Sequence, residues 1–385
     1  MKSNNLQLVL VASFALFAMF FGSGNLLFPI AVGVSAGDNF FFALIGLLLG
    51  GVLIPFLGLA ATIVSSRNQE DFFAPLGKPV SLALGLLMLS LMGPFGVGAR
   101  CVLVASSGVH LLLPQVPLEI LGLIFSLFCG FLLLRKESIV QLIGSWLTPL
   151  LLVGLFTIVL ASLFSTGAPA QKTLTDLEGF KLGALQGYQM MDLLAAIFFG
   201  RSIQKYLQGS LEKHSMKQSL KLSLLVGVLG ATMLAVLYTG LVAVGSHHSL
   251  DLASVNPEQR LVTVANLVLG PVALSVSSLV IALACLTTLC ILVELFADFL
   301  RLRLLPGSMN RRVSVLITLA LTFAVSLAGF FTLASWIGLM LAYIYPALIV
   351  FSLLRILQVT GKINVKTVQV LSALALALCL FFVEV

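Results

Sequence analysis

Charge is what this sequence has least of. Asp, Glu, Lys and Arg make up 9% of its 385 residues against 60% hydrophobic, and the mean hydropathy is +1.15. So little charge cannot cover a water-facing surface, which excludes a soluble globular domain and implies an all-α polytopic membrane protein. Cys101, Cys129, Cys285, Cys290 and Cys379 all fall in apolar segments without CxxC spacing, so neither a disulfide framework nor a zinc site is indicated. The absence of a Gly-x-x-x-x-Gly-Lys-Ser/Thr loop argues against nucleotide hydrolysis. With no basic cluster interleaved with aromatics, the net charge of +7 does not point to nucleic acid. A channel would need a ring of carboxylates or a repeated carbonyl filter sequence, and neither is present.

What the sequence has is long apolar runs. At about 20 residues per crossing, eleven spans are expected near 6–36, 39–65, 79–112, 117–134, 139–165, 182–206, 219–245, 271–300, 312–329, 332–356 and 367–384. The first continues well past Gly22 to Gly24, so it reads as a retained span rather than a signal peptide. Of the 21 Lys and Arg residues, only Lys172, Lys181 and Arg260 fall on the side opposite the N-terminus, with Arg100 inside span three. This bias predicts a cytoplasmic N-terminus and, with an odd number of spans, an external C-terminus.

Two spans are interrupted. Phe21-Gly22-Ser23-Gly24-Asn25 breaks the first, and Gly183 to Asp192, with Gln186-Gly187-Tyr188-Gln189 inside it, breaks the sixth. Freed peptide groups are costly against lipid, so such a break must face protein or a watery cavity. Glycine and serine also serve simply to let membrane helices pack closely. Five spans separate the two interruptions, and the spans run in opposite directions. That is the pattern of an inverted-topology repeat with its binding site between the repeats. One transmembrane domain over 1–385 follows, with a five-helix repeat in 6–165, another in 182–356, and an additional helix at 367–384.

Other residues carry chemistry. Arg100 follows the Gly93-Pro94 kink of span three, and a charge at that depth costs about 2.5 to 3.5 kcal/mol. It needs a partner or water, unless the span tilts and the side chain snorkels outward. Ala284, Thr287 and Thr288 share one face of span eight, offering a carbonyl and two hydroxyls that suit sodium, although threonines in membrane helices often bond back to their own helix. Asp192 is either a half-helix cap or a buried proton carrier. Glu294 and Asp298 are expected to pair with Arg301 or other loop cations, and His247-His248-Asp251 to lie in a solvated outer loop rather than a metal site. His110 is expected near the outer end of span three. An intramembrane protease built on Gly22-Ser23-Gly24 would lack a histidine base at its own depth.

Phe20-Phe21-Gly22-Ser23-Gly24-Asn25-Leu26-Leu27-Phe28-Pro29, Gly93-Pro94 through Arg100, Gly187-Tyr188-Gln189-Met190-Met191-Asp192 and Ala284-Cys285-Leu286-Thr287-Thr288, taken in order, resemble the signatures of the bacterial branched-chain amino acid:cation symporters of the BrnQ type. The resemblance spans nearly the whole chain. It implies a LeuT-like five-plus-five inverted repeat with helices one and six broken, and import of leucine, isoleucine or valine with Na+ or H+ across a bacterial inner membrane. No other cofactor and no partner beyond substrate and bilayer are implied. It further implies that substrate meets Gly22, Ser23, Gly24, Asn25, Gly187, Tyr188 and Gln189, and that Na+ meets the carbonyls of Ala18 and Phe21 with Ala284, Thr287 and Thr288. Asp192 and Arg100 remain as coupling or structural charges. Members usually have twelve spans, against about eleven here. Arg201 also stands where the family tends to stay apolar.

Overall fold

The computed structural model describes residues 3–65, 72–135, 143–171, 174–210, 216–270 and 272–382, and among them every regular element is a helix. The first expected span is two helices, α1 (Ser3–Phe20) and α2 (Ser23–Ala36), meeting at a bend of 69°. A single helix, α3 (Phe41–Ser65), follows, with a π turn at Leu49–Leu53. Next come α4 (Lys78–Met92) and α5 (Val97–His110), separated at Gly93 to Gly96, then α6 (Leu118–Arg135) and α7 (Thr148–Leu163). The sixth span is again a pair, α8 (Asp176–Gln189) and α9 (Asp192–Ser210), bent by 45°. The chain continues through α10 (Met216–His247), α11 (Arg260–Leu269), α12 (Val272–Phe299), α13 (Arg311–Ser326), α14 (Phe330–Val359) and α15 (Val365–Phe382).

Six of these segments are long and apolar enough to cross a membrane alone. Three bent pairs, the third within α14, bring the number to nine. The two remaining expected spans coincide with the shorter helices α13 and α15.

The halves of the chain pack reciprocally. α1 and α2 lie along α10, while α8 and α9 lie along α3. Each broken pair thus runs beside the helix that follows the other pair. In lipid, close packing rather than hydrophobicity holds helices together, and glycines permit it. A Cβ on Gly33 would collide with the Val242 carbonyl, and one on Gly245 with that of Ile30. At the other junction, a Cβ on Gly183 would collide with the Ala43 carbonyl and one on Gly46 with that of Phe180.

Some expectations are corrected. Helix α8 starts at Asp176 rather than near 182, because Thr175 and Glu178 form a capping box in which each side chain bonds the other's backbone N–H. The unanticipated α11 buries Leu261, Val262, Val264 and Ala265 outside the spans. His248 is buried and His247 partly buried rather than solvated. They sit at the end of α10 against Ser165, with Nε2 of His247 at 2.9 Å from its carbonyl and Nε2 of His248 at 3.1 Å from its hydroxyl. Arg100 does not snorkel: it is 1% exposed. The expected pairing of Asp298 and Glu294 with loop cations does form: Asp298 meets Arg301 at 3.0 Å, and Glu294 takes a two-pronged bond from Arg311 at 2.9 and 3.1 Å.

Candidate functional site

The first break leaves the last carbonyls of α1 facing inward, and each finds a donor. Phe21 N–H donates to Phe17 and Gly22 N–H to Phe20, both at 2.8 Å. The Ala18 carbonyl accepts from the hydroxyls of Thr287 and Thr288 at 3.1 and 3.2 Å, and that of Met19 accepts from Thr288 at 3.2 Å. Thr287 also donates to Ala284 at 2.9 Å. The structure therefore gathers Ala18, Ala284, Thr287 and Thr288 between α1 and α12. It adds Met19, which sequence reasoning missed. Phe21 stacks its ring on Phe17 at 5.1 Å. All of these oxygens are neutral, the chemistry that suits a hard cation.

Gly22 is extended, at φ −108° and ψ −156°, and Ser23, Gly24 and Asn25 form the first turn of α2. The N–H groups of that turn have no partner within the helix, and the helix dipole adds partial positive charge there. Ser23 is buried, with its hydroxyl 3.6 Å from the Cys101 thiol.

The second break falls at the C-terminal end of the expected Gly183–Asp192 passage. Gly187, Tyr188 and Gln189 are the last turn of α8, and the chain unwinds at Met190 and Met191. Met191 takes a φ of 67°, unique among non-glycine residues described. Gly187 serves packing, since a Cβ there would lie 2.7 Å from the Gly51 nitrogen of α3. Tyr188 stacks against Tyr345 at 4.7 Å, and the Gln189 amide lies against Gly338 of α14. The N–H of Leu193, freed at the start of α9, donates to the Tyr345 hydroxyl at 3.0 Å.

Asp192 joins the two breaks. Its carboxylate accepts from the Asn25 amide at 2.6 Å and from the Tyr238 hydroxyl at 3.1 Å, and the same amide bonds Tyr238 of α10. A small pocket with room for about one water lies beside this cluster, lined by Phe20, Asn25, Met190, Asp192, Phe199 and Thr288 among others. Arg100 reaches the first turn of α2, with Nη2 3.4 Å from where a Cβ on Gly24 would sit. Tyr238 and Tyr345 were also missed. The available signal was that a phenol inside an apolar span must find a hydrogen-bond partner.

The family described as branched-chain amino acid transport protein matches residues 5–384. The branched-chain amino acid permease BrnQ of Corynebacterium glutamicum is 27% identical over 355 residues, covering 91% of this chain and 81% of that protein. MhsT, solved in complex with L-phenylalanine, superposes with a TM-score of 0.63 at 16% identity, over 96% of this chain and 97% of its own. Mhp1, a nucleobase-cation-symport-1 family transporter solved closed with bromovinylhydantoin bound, gives 0.62 at 14% identity, over 89% and 76%. At these identities the structures establish the fold alone, a LeuT-like bundle with two broken helices. The relatives are carriers, which sets aside the protease reading of Ser23. This chain belongs to the branched-chain amino acid transport protein family: it is a multi-pass membrane carrier and not an enzyme.

Proposed function

We propose that this carrier imports leucine, isoleucine and valine in symport with Na+ by alternating access, in a bacterial inner membrane with its N-terminus in the cytoplasm. The observation that carries the reading is the meeting of the two breaks at Asn25 and Asp192, one residue cluster away from the neutral oxygens of Ala18, Met19, Ala284, Thr287 and Thr288. An amino acid at this junction presents its carboxylate to the first turn of α2 from Ser23 to Asn25, and its amino group to the Asp192 side of the junction. A branched aliphatic side chain would need the pocket, which now has room for about one water, to widen against its apolar Phe20, Met190 and Phe199 walls.

Na+ fits between α1 and α12 because no charge there demands a divalent ion, and the threonine hydroxyls can turn their lone pairs toward it. By joining α1 to α12, the ion favours one arrangement of the bundle, and it shifts the equilibrium only by its differential affinity for the two. The charge bias of the loops supports the orientation. Gly187, Tyr188 and Gln189 border the junction from the end of α8, with Met190 and Met191 supplying the freed backbone. A second reading, proton coupling, is favoured by the buried carboxylate of Asp192. Uptake of labelled leucine into proteoliposomes, with a sodium gradient and then with a proton gradient alone, tests the reading. Sodium-driven accumulation supports it, and the absence of any leucine uptake overturns it.

A further inference from the structure

We propose that Arg100 is a substrate-binding residue, its guanidinium being the counter-charge for the carboxylate of the transported solute. This rests on the reading that the junction of the two breaks holds an amino acid. Arg100 stands in the first turn of α5, carried inward by the Gly93–Gly96 interruption that separates α4 from α5. It is 1% exposed, and among the described residues none of its three guanidinium nitrogens has a hydrogen-bond partner. A buried arginine normally satisfies its fork of donors with carboxylate or carbonyl oxygens. Here the fork is turned toward the first turn of α2. A Cβ on Gly24 would lie 3.4 Å from Nη2, and the guanidinium carbon is 5.7 Å from the centre of the Phe28 ring.

That turn is where the N–H groups of Ser23, Gly24 and Asn25 lack partners within α2, so two independent sets of donors converge on one place. Both are suited to a planar anion with two oxygens. Asp192 accepts from both Asn25 and Tyr238 on one oxygen, Oδ2, and neither of these bonds involves Arg100. A zwitterion completes the acid and the base at once, its carboxylate toward Arg100 and its ammonium toward Asp192. The position a Gly24 Cβ would take is bordered by Nη2 of Arg100, the Phe28 ring and the Met190 backbone at 3.4 to 3.5 Å.

The test compares wild type with Arg100→Gln and Arg100→Lys, each purified and shown by thermal unfolding to be folded. Binding is measured for leucine, for 4-methylpentanoate, which keeps the carboxylate and lacks the amine, and for 3-methylbutylamine, which keeps the amine and lacks the carboxylate. The expected result is that Arg100→Gln weakens leucine and 4-methylpentanoate by about ten-fold or more and leaves the amine unchanged, with Arg100→Lys intermediate. Wild-type affinity for leucine in Arg100→Gln overturns the proposal, as does equal weakening of all three ligands. If the variants do not fold, competition on the wild type decides. Displacement of leucine by 4-methylpentanoate and not by the amine supports an anion site, and the reverse order overturns it. Should the wild type not take up leucine, the transport reading fails by itself. Binding of 4-methylpentanoate to wild type and its loss in Arg100→Gln would still support the arginine's role, and equal binding to both would overturn it.

Discussion

The side-chain amide of Asn25 donates a hydrogen bond of 2.6 Å to the carboxylate of Asp192, joining the first turn of α2 to the first residue of α9. Both groups are buried, so removing the donor leaves an acceptor under-satisfied where water cannot replace it. Asn25→Ala is expected to cost about 1–3 kcal/mol of stability and to reduce leucine transport. Thermal unfolding and uptake measured on the same preparations check this. Tyr238→Phe combined with Asn25→Ala is expected to be non-additive, because the two share the carboxylate.

Thr287 and Thr288 supply the side-chain oxygens of the proposed ion site. Thr288→Val keeps the shape and removes the hydroxyl, so leucine uptake is expected to lose its sodium stimulation while the protein stays folded. Thr288→Ser is expected to retain it. Uptake against sodium concentration separates the two, and stimulation persisting in Thr287→Ala with Thr288→Ala would dismiss the site.

Gly22 is held open by its neighbours rather than by its backbone, whose φ of −108° any residue adopts. A Cβ there would lie 2.8 Å from Oγ1 of Thr288. Gly22→Ala is therefore expected to push α12 from α1 and to raise the sodium concentration for half-maximal uptake by about ten-fold. A leucine response equal to wild type at every sodium concentration would contradict it.

Gly183 meets the Ala43 backbone of α3, which cannot move aside as a side chain can. Gly183→Ala is expected to cost at least about 2 kcal/mol and to lower the yield of folded carrier. Leu185→Ala, on the 63%-exposed position one turn face away, is the control and should behave as wild type in a detergent thermal-unfolding assay.

The first break was legible in Gly22 to Asn25 because residues that continue helices poorly stand together in an otherwise apolar run. The second was legible as the Gly183–Asp192 passage, but its unwinding point within that passage was not, for a physical reason. Gly183 and Gly187 serve close packing on α3, while Met190 and Met191, good helix formers, unwind because distant groups reward it: Asn25 and Tyr238 engage Asp192, and Tyr345 engages the Leu193 N–H. No local pattern carries such long-range satisfaction. Ala284, Thr287 and Thr288 were legible by helical spacing, whereas Met19 depends on which α1 carbonyl meets Thr288 and is decided by packing. The loop histidines were misjudged because their partner, Ser165, is distant in sequence.

The most direct measurement is equilibrium binding of leucine to the purified carrier across a sodium titration, for wild type and Thr288→Val. The account predicts that sodium tightens leucine binding in the wild type and has no effect in the variant. Leucine affinity that is the same with and without sodium in the wild type, or a sodium effect undiminished in Thr288→Val, would contradict it.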